Sequence, residues 1–153
     1  MISIWRGSPF KDRDKRVGFV GAMSNRARDW FRQAEADLAQ ARDSDRDAHY
    51  EWACFAAQQA AEKAAIAACV ALGQRGRPSA VTPSLELLRL HGARVDDELL
   101  NRARSLDKHQ LQTRYPVFFA SGAPTDFYIR SEAERAIADA SAVLEVCHTL
   151  LPG

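Results

Sequence analysis

Arginine and histidine recur in this chain at a spacing that suits phosphate chemistry. Arg104-Ser105-Leu106-Asp107-Lys108-His109 sets a guanidinium five positions before an imidazole, and Arg102 lies seven positions before the same His109. Histidine titrates near neutrality and can move a proton on or off a ribose 2′-hydroxyl. Arginine can grip a phosphate through two parallel hydrogen bonds and stabilise the charge that grows on it. Together such groups could assist attack of a ribose 2′-hydroxyl on its neighbouring phosphate. At about 100° per residue on a helix, Arg102 returns to within about 20° of His109, whereas Arg104 lies about 140° away. A regular helix therefore favours Arg102, and one that unwinds before His109 favours Arg104. The plainer account is a histidine at a helix end, facing the dipole or solvent.

Other polar residues offer weaker leads. Gln58 and Gln59 can hydrogen-bond across a helical bundle or hold a ligand. Glu62-Lys63 reads as a salt bridge or an exposed face. Tyr115, Phe118 and Phe119 could stack a base, or close over a core. His49, His91, His109 and His148 lack the spacing of metal ligands, and Cys147 and His148 point about 100° apart on a helix, so no metal site and no cofactor is expected. Gly73 and Gly76 lack the lysine pattern of a phosphate-binding loop.

Composition bounds the answer. The 153 residues suit one domain, 46% of them are hydrophobic, and the formal net charge is +1. No bulk charge advertises a nucleic-acid or membrane partner, and no apolar run is long enough for a membrane span. Cys54, Cys69 and Cys147 lie in apolar stretches without CxxC spacing and read as reduced thiols of a cytoplasmic protein. Residues 1–22 carry Arg6, Lys11, Arg13, Lys15 and Arg16 against Asp12 and Asp14. They read as a flexible basic arm or a misassigned start, ahead of a domain over 23–153.

The periodicity that must position these residues is helical nearly throughout. Ala27, Trp30, Phe31, Ala34, Leu38 and Ala41 make one stripe over Ser24–Arg42, with Ser24 or Asn25 as cap and Asp43–Asp47 as turn. A second helix from about His49 to Leu72, closed by Gly73, is apolar on several sides. Its alanines, flanked by Trp52, Phe55, Ile66 and Val70, mark a central helix or a dimer interface. Gln74–Pro83 reads as a basic loop. A short helix follows with Leu85, Leu87, Leu88 and Leu90, stopping near Gly92. Asp96 or Asp97 caps the next, which turns Val95, Leu99, Leu100, Ala103 and Leu106 inward and fades near His109–Leu111. After an aromatic connector, the last helix starts between Thr125 and Ser131, with Ser131 and Glu134 fitting a capping box. Its stripe runs from Phe127 through Ala133, Ile137, Ala140, Val143, Leu144 and Cys147 to Leu151. The expected fold is all-α, an antiparallel up-and-down bundle of four or five helices.

Two motifs within this pattern resemble a known family. Tyr50 to Ala64, with Gln58-Gln59-Ala60-Ala61-Glu62-Lys63 at its centre, is similar to the second helix of HEPN domains. Trp30, Ala34, Asp37, Leu38 and Ala41 resemble that family's opening helix, and Arg114-Tyr115-Pro116 resembles its Arg-Tyr-Pro signature. The likeness runs from Met23 to Leu151. Thr82-Pro83-Ser84-Leu85 departs from it, because many members carry a histidine at that element. The resemblance implies a bundle that dimerises with itself and acts beside a nucleotidyltransferase-like partner in a two-component or toxin–antitoxin system. It implies nucleotide or RNA binding, with Gln58, Gln59, Arg114 and Tyr115 as candidate ligand-binding residues. Alternatively, members with an Arg-x(4–6)-His motif are metal-independent endoribonucleases, which would make His109 with Arg102 or Arg104 catalytic. A third alternative is a helical interaction module with no nucleotide ligand.

Overall fold

The computed structural model describes the backbone of residues 9–153 and the side chains of residues 21, 22 and 24–153. Among the described residues there are seven α-helices: α1 (Pro9–Arg46), α2 (Tyr50–Ala71), α3 (Thr82–Leu90), α4 (Asp97–Asp107), α5 (His109–Gln112), α6 (Pro124–Phe127) and α7 (Arg130–Thr149). Helices α5 and α6 are single turns, and a 3-10 turn spans Pro116–Phe118. Among the described residues there is no strand, and no helix is long and apolar enough to cross a membrane.

Side-chain pairs fix the directions of the long helices. Lys63 reaches Asp37, so α1 and α2 run antiparallel through the tight turn at Ala48, a non-glycine residue with φ 62. Arg28 donates to the carbonyl of Gly153, which sets α7 antiparallel to α1, and Arg130 donates to the Tyr50 hydroxyl, which sets the starts of α2 and α7 side by side. The expected up-and-down bundle is therefore present, with α3 as a short detour between α2 and α4.

The core explains why α2 is so rich in alanine. Ala53, Ala57, Ala60, Ala61, Ala64 and Ala68 are fully buried, and α2 packs against α1, α3, α4 and α7. Small side chains let several neighbours approach one helix closely while favouring its helical backbone. Val95, Leu99, Leu100, Ala103 and Leu106 are buried as their spacing required, and the Asp96 carboxylate caps α4 by accepting from the Leu99 N–H at 2.8 Å.

Local details correct the sequence reading. Helix α1 does not begin at Ser24 or Asn25 but already runs from Pro9, since proline costs a helix nothing at its first position. Of the expected arm, residues 1–8 lie outside the described residues. Asp43–Arg46 is helix rather than turn, because Ser44 is buried and Arg46 pairs with Asp43 at 2.7 Å. Ile129, not Ser131, precedes the first turn of α7, and its N–H is satisfied by the Glu132 carboxylate at 3.1 Å. Leu90 and Phe127 face solvent. Leu90 lies about 200° round α3 from buried Leu88, and Phe127 belongs to α6, where it stacks on Phe119 with centroids 4.6 Å apart.

Candidate functional site

Helix α4 carries Arg102 and Arg104, and His109 opens α5 after a break at Lys108. The structure does not bring these three together. Arg102 reaches across to α7, with Nη1 2.9 Å from Asp139, and holds Glu98 of its own helix with Nη2 at 3.1 Å. Arg104 is exposed, donates to Asn101 at 2.9 Å and faces Glu86 at 3.9 Å. His109 meets neither arginine. Its Nδ1 lies 3.4 Å from the Tyr128 hydroxyl, with the two rings edge to face at 5.7 Å. Burial lowers the His109 pKa below the usual histidine value; Glu132 opposes that shift and Lys108 adds to it. Burial likewise pushes the Tyr128 hydroxyl up to about 12. His109 and Tyr128 thus pack against one another, and neither Arg102 nor Arg104 is among the hydrogen-bond partners of the imidazole.

The ligand-binding candidates sit elsewhere, Gln58 and Gln59 on α2 and Arg114 and Tyr115 just after α5. A groove of about 640 Å³ opens between α1 and α2, lined by Trp52, Phe55 and Gln59 on one side and Asp37 and Gln40 on the other, with Lys63 at its far end. Trp52 is 51% exposed, although the width of the apolar surface on α2 placed it among packed residues. Its ring meets Phe55 edge to face at 6.0 Å. The Arg114 guanidinium lies over the Phe55 ring, 4.2 Å from its centroid, and 5.1 Å from that of Tyr115. Arg114 is held there by donating to the Gln110 carbonyl at 2.6 Å. The neighbouring Thr113 anchors this turn, its buried hydroxyl donating to the His109 carbonyl at 2.7 Å. The Arg-Tyr-Pro segment thus lays a cation on the face of Phe55, a ring that lines the groove.

Of the Gln-Gln-Ala-Ala-Glu-Lys motif, Gln59 and Lys63 line the groove. Glu62 is 8% exposed and accepts from Gln58 at 3.1 Å and Gln59 at 3.3 Å with one oxygen. Its other oxygen accepts the Ser79 N–H at 2.9 Å. Gln59 also donates to Gln58 at 2.7 Å, so both amides are oriented by one buried carboxylate. The Gln59 carbonyl oxygen then faces Lys63 at 3.2 Å, and Lys63 pairs with Asp37 at 2.6 Å. Gln58 is fully buried and structural, whereas Gln59 reaches the groove. Asp37 and Lys63 form a salt bridge between helices, one of the two roles expected for the charged pair in α2.

Sequence reasoning missed Trp52 and Phe55 as site residues, because aromatic side chains beside an alanine stripe read as core. Asp37 was singled out only as part of the family's opening pattern. No group of three or more His, Cys, Asp or Glu side chains is placed to hold a metal ion among the described residues. The three thiols are free and buried. Burial pushes Cys54 to about 12 and Cys69 to about 11, and drives Cys147 upward as well.

Comparison with known proteins places this arrangement. The family model described as HEPN domain matches residues 27–150. A solved protein of Thermus thermophilus is 38% identical, with 83% of this chain and 99% of that chain covered and a TM-score of 0.80. An archaeal HEPN homologue is 31% identical, covering 82% of this chain and 98% of its own, with a TM-score of 0.70. A HEPN domain protein from Thermotoga maritima is 32% identical, covering 80% and 96%, with a TM-score of 0.64. Comparison with curated proteins returns no match.

Proposed function

Because the chain belongs to the HEPN domain family, we propose that it is a nucleotide- or RNA-binding accessory protein that holds a base in the groove between α1 and α2. One observation carries this reading. Two adjoining aromatic rings, Trp52 and Phe55, line an open groove, and a guanidinium is already fixed over one of them. Rings of this kind stack on the face of any base, and a neighbouring arginine suits the phosphate attached to it. Gln59, Gln40 and Lys63 supply hydrogen-bonding groups for the base edge.

The protein would act as a homodimer with a nucleotidyltransferase-like partner in a two-component system. Leu111 in α5 and Val117 and Phe118 in the connector after it support this, since they leave apolar side chains in solvent. The endoribonuclease alternative is less well supported, because Arg102 is bound to Asp139 and Glu98 and the His109 ring contacts the Tyr128 hydroxyl.

Titration with nucleoside monophosphates, followed by tryptophan fluorescence, tests the reading. Binding should quench the signal in the wild type. Phe55→Ala should weaken it at least about fivefold, the smaller end of what one stacked base contributes. Affinity that is unchanged in both Phe55→Ala and Trp52→Ala would place the ligand elsewhere. In the same preparation, metal-free RNA cleavage that His109→Ala abolishes would favour the ribonuclease.

A further inference from the structure

The buried carboxylate of Glu62 sets the polarity of a side chain that it does not share with the groove. A carboxylate can only accept hydrogen bonds, and a backbone N–H can only donate. One Glu62 oxygen accepts the N–H of Ser79, in the loop between α2 and α3, at 2.9 Å. The other oxygen calls for donors, and the amide nitrogens of Gln58 and Gln59 both face it. Gln59 donates in addition to the Gln58 oxygen at 2.7 Å, so both of its amide hydrogens are engaged. Lys63 fixes the same orientation from the other side, since an ammonium only donates and it reaches the Gln59 oxygen at 3.2 Å. Gln59 therefore meets the groove as an acceptor alone.

Lys63 is its complement. Of the three ammonium N–H groups, one goes to Asp37 at 2.6 Å and one to Gln59, and the third is left for a ligand. Gln33 donates to the other oxygen of Asp37 at 2.8 Å. Gln40 is exposed and among the described residues bonds only the Ser44 hydroxyl, so its amide is free to turn. The fixed part of the wall thus offers one acceptor and one donor, 3.2 Å apart. A base stacked on the rings turns toward it an edge where N–H groups and bare acceptors alternate. Resting on the nucleotide-binding reading, we infer that Gln59 and Lys63 select a base by an N–H set beside a bare acceptor, and that Glu62 dictates this selection without touching the ligand. Glu62 is a positioning residue, acting through the amide that it orients.

Replacing Glu62 by glutamine reverses that amide. The Ser79 N–H keeps the oxygen of the new side chain, which puts its NH2 group where the second carboxylate oxygen was. Gln58 and Gln59 must then turn their oxygens inward, and Gln59 offers N–H groups to the groove.

The test compares AMP with purine riboside 5′-monophosphate, which has the same rings and phosphate but lacks the 6-amino group. Binding is read by tryptophan fluorescence, and thermal melting shows which variants are folded. The wild type should bind AMP at least about fivefold more tightly, the worth of one hydrogen bond. In Glu62→Gln the ratio should fall to about one or invert, because the turned amide can donate to the bare ring nitrogen. Gln59→Met, at the groove rather than in the core, carries the test if Glu62→Gln does not fold. It should lower AMP affinity to that of the riboside and leave the riboside unchanged. A merely structural Glu62 would weaken both nucleotides together and preserve their ratio. That result, a preserved ratio in Gln59→Met, or equal affinities in the wild type overturns the inference and leaves the nucleotide reading standing. Absence of binding by both nucleotides overturns both.

Discussion

The guanidinium of Arg102 and the carboxylate of Asp139 meet at 2.9 Å across the contact between α4 and α7. The Asp139 side chain is only 10% exposed, and its burial raises its pKa even though Arg102 pulls the other way. Removing the arginine would leave a carboxylate in a poorly solvated place. Arg102→Ala should therefore cost about 1–3 kcal/mol, less than a fully buried pair because water reaches the guanidinium. Urea denaturation measures it. Nucleotide affinity should be unaffected, and a variant that lost affinity at full stability would move the site to α4.

Gly76 gives a second measurable consequence. Its hydrogen faces the Ile66 backbone, which cannot rotate away as a side chain would. Gly76→Ala should cost about 1–3 kcal/mol through overpacking. A Gly76→Ala protein with wild-type melting would show that α2 and the loop are not in contact.

The third consequence is a pH dependence. Burial depresses the His109 pKa in the folded state, so the unfolded chain takes up the proton first as pH falls below about 6.5. Stability owed to neutral His109 is fully present above that value and declines as pH falls toward the depressed one. Urea midpoints at about pH 7.5 and about pH 5.5 should differ in the wild type, and the difference should shrink in His109→Gln. A stability rising toward acid would reverse the sign and refute the burial of this ring.

The helices were legible because each is encoded locally. The stripe Leu99, Leu100, Ala103 and Leu106 and the cap Asp96 need nothing beyond their own segment to declare a helix and its inward face. The end of α1 was misread for the same reason. Asp43–Arg46 looks like a turn to its neighbours, but packing of Ser44 and the Arg46–Asp43 pair extend the helix through it. The Gln-Gln-Ala-Ala-Glu-Lys and Arg-Tyr-Pro motifs were visible as text, yet the seat of Arg114 on the Phe55 ring and the hold of Glu62 on both glutamines were not.

By itself, then, the order of residues determined an all-helical chain, a crowded alanine-rich second helix, and the family to which it belongs, since spacing and short motifs act over a few turns. Which arginine met which partner was decided only when the helices packed. Arg102 was seven positions from His109 in the chain, but Asp139, thirty-seven positions away, was nearer in space and carried the opposite charge. Trp52 and Phe55 became a groove rather than a core because α1 covers α2 at Asp37 and Lys63 and leaves these rings uncovered, a matter of how two rods cross rather than of what either contains.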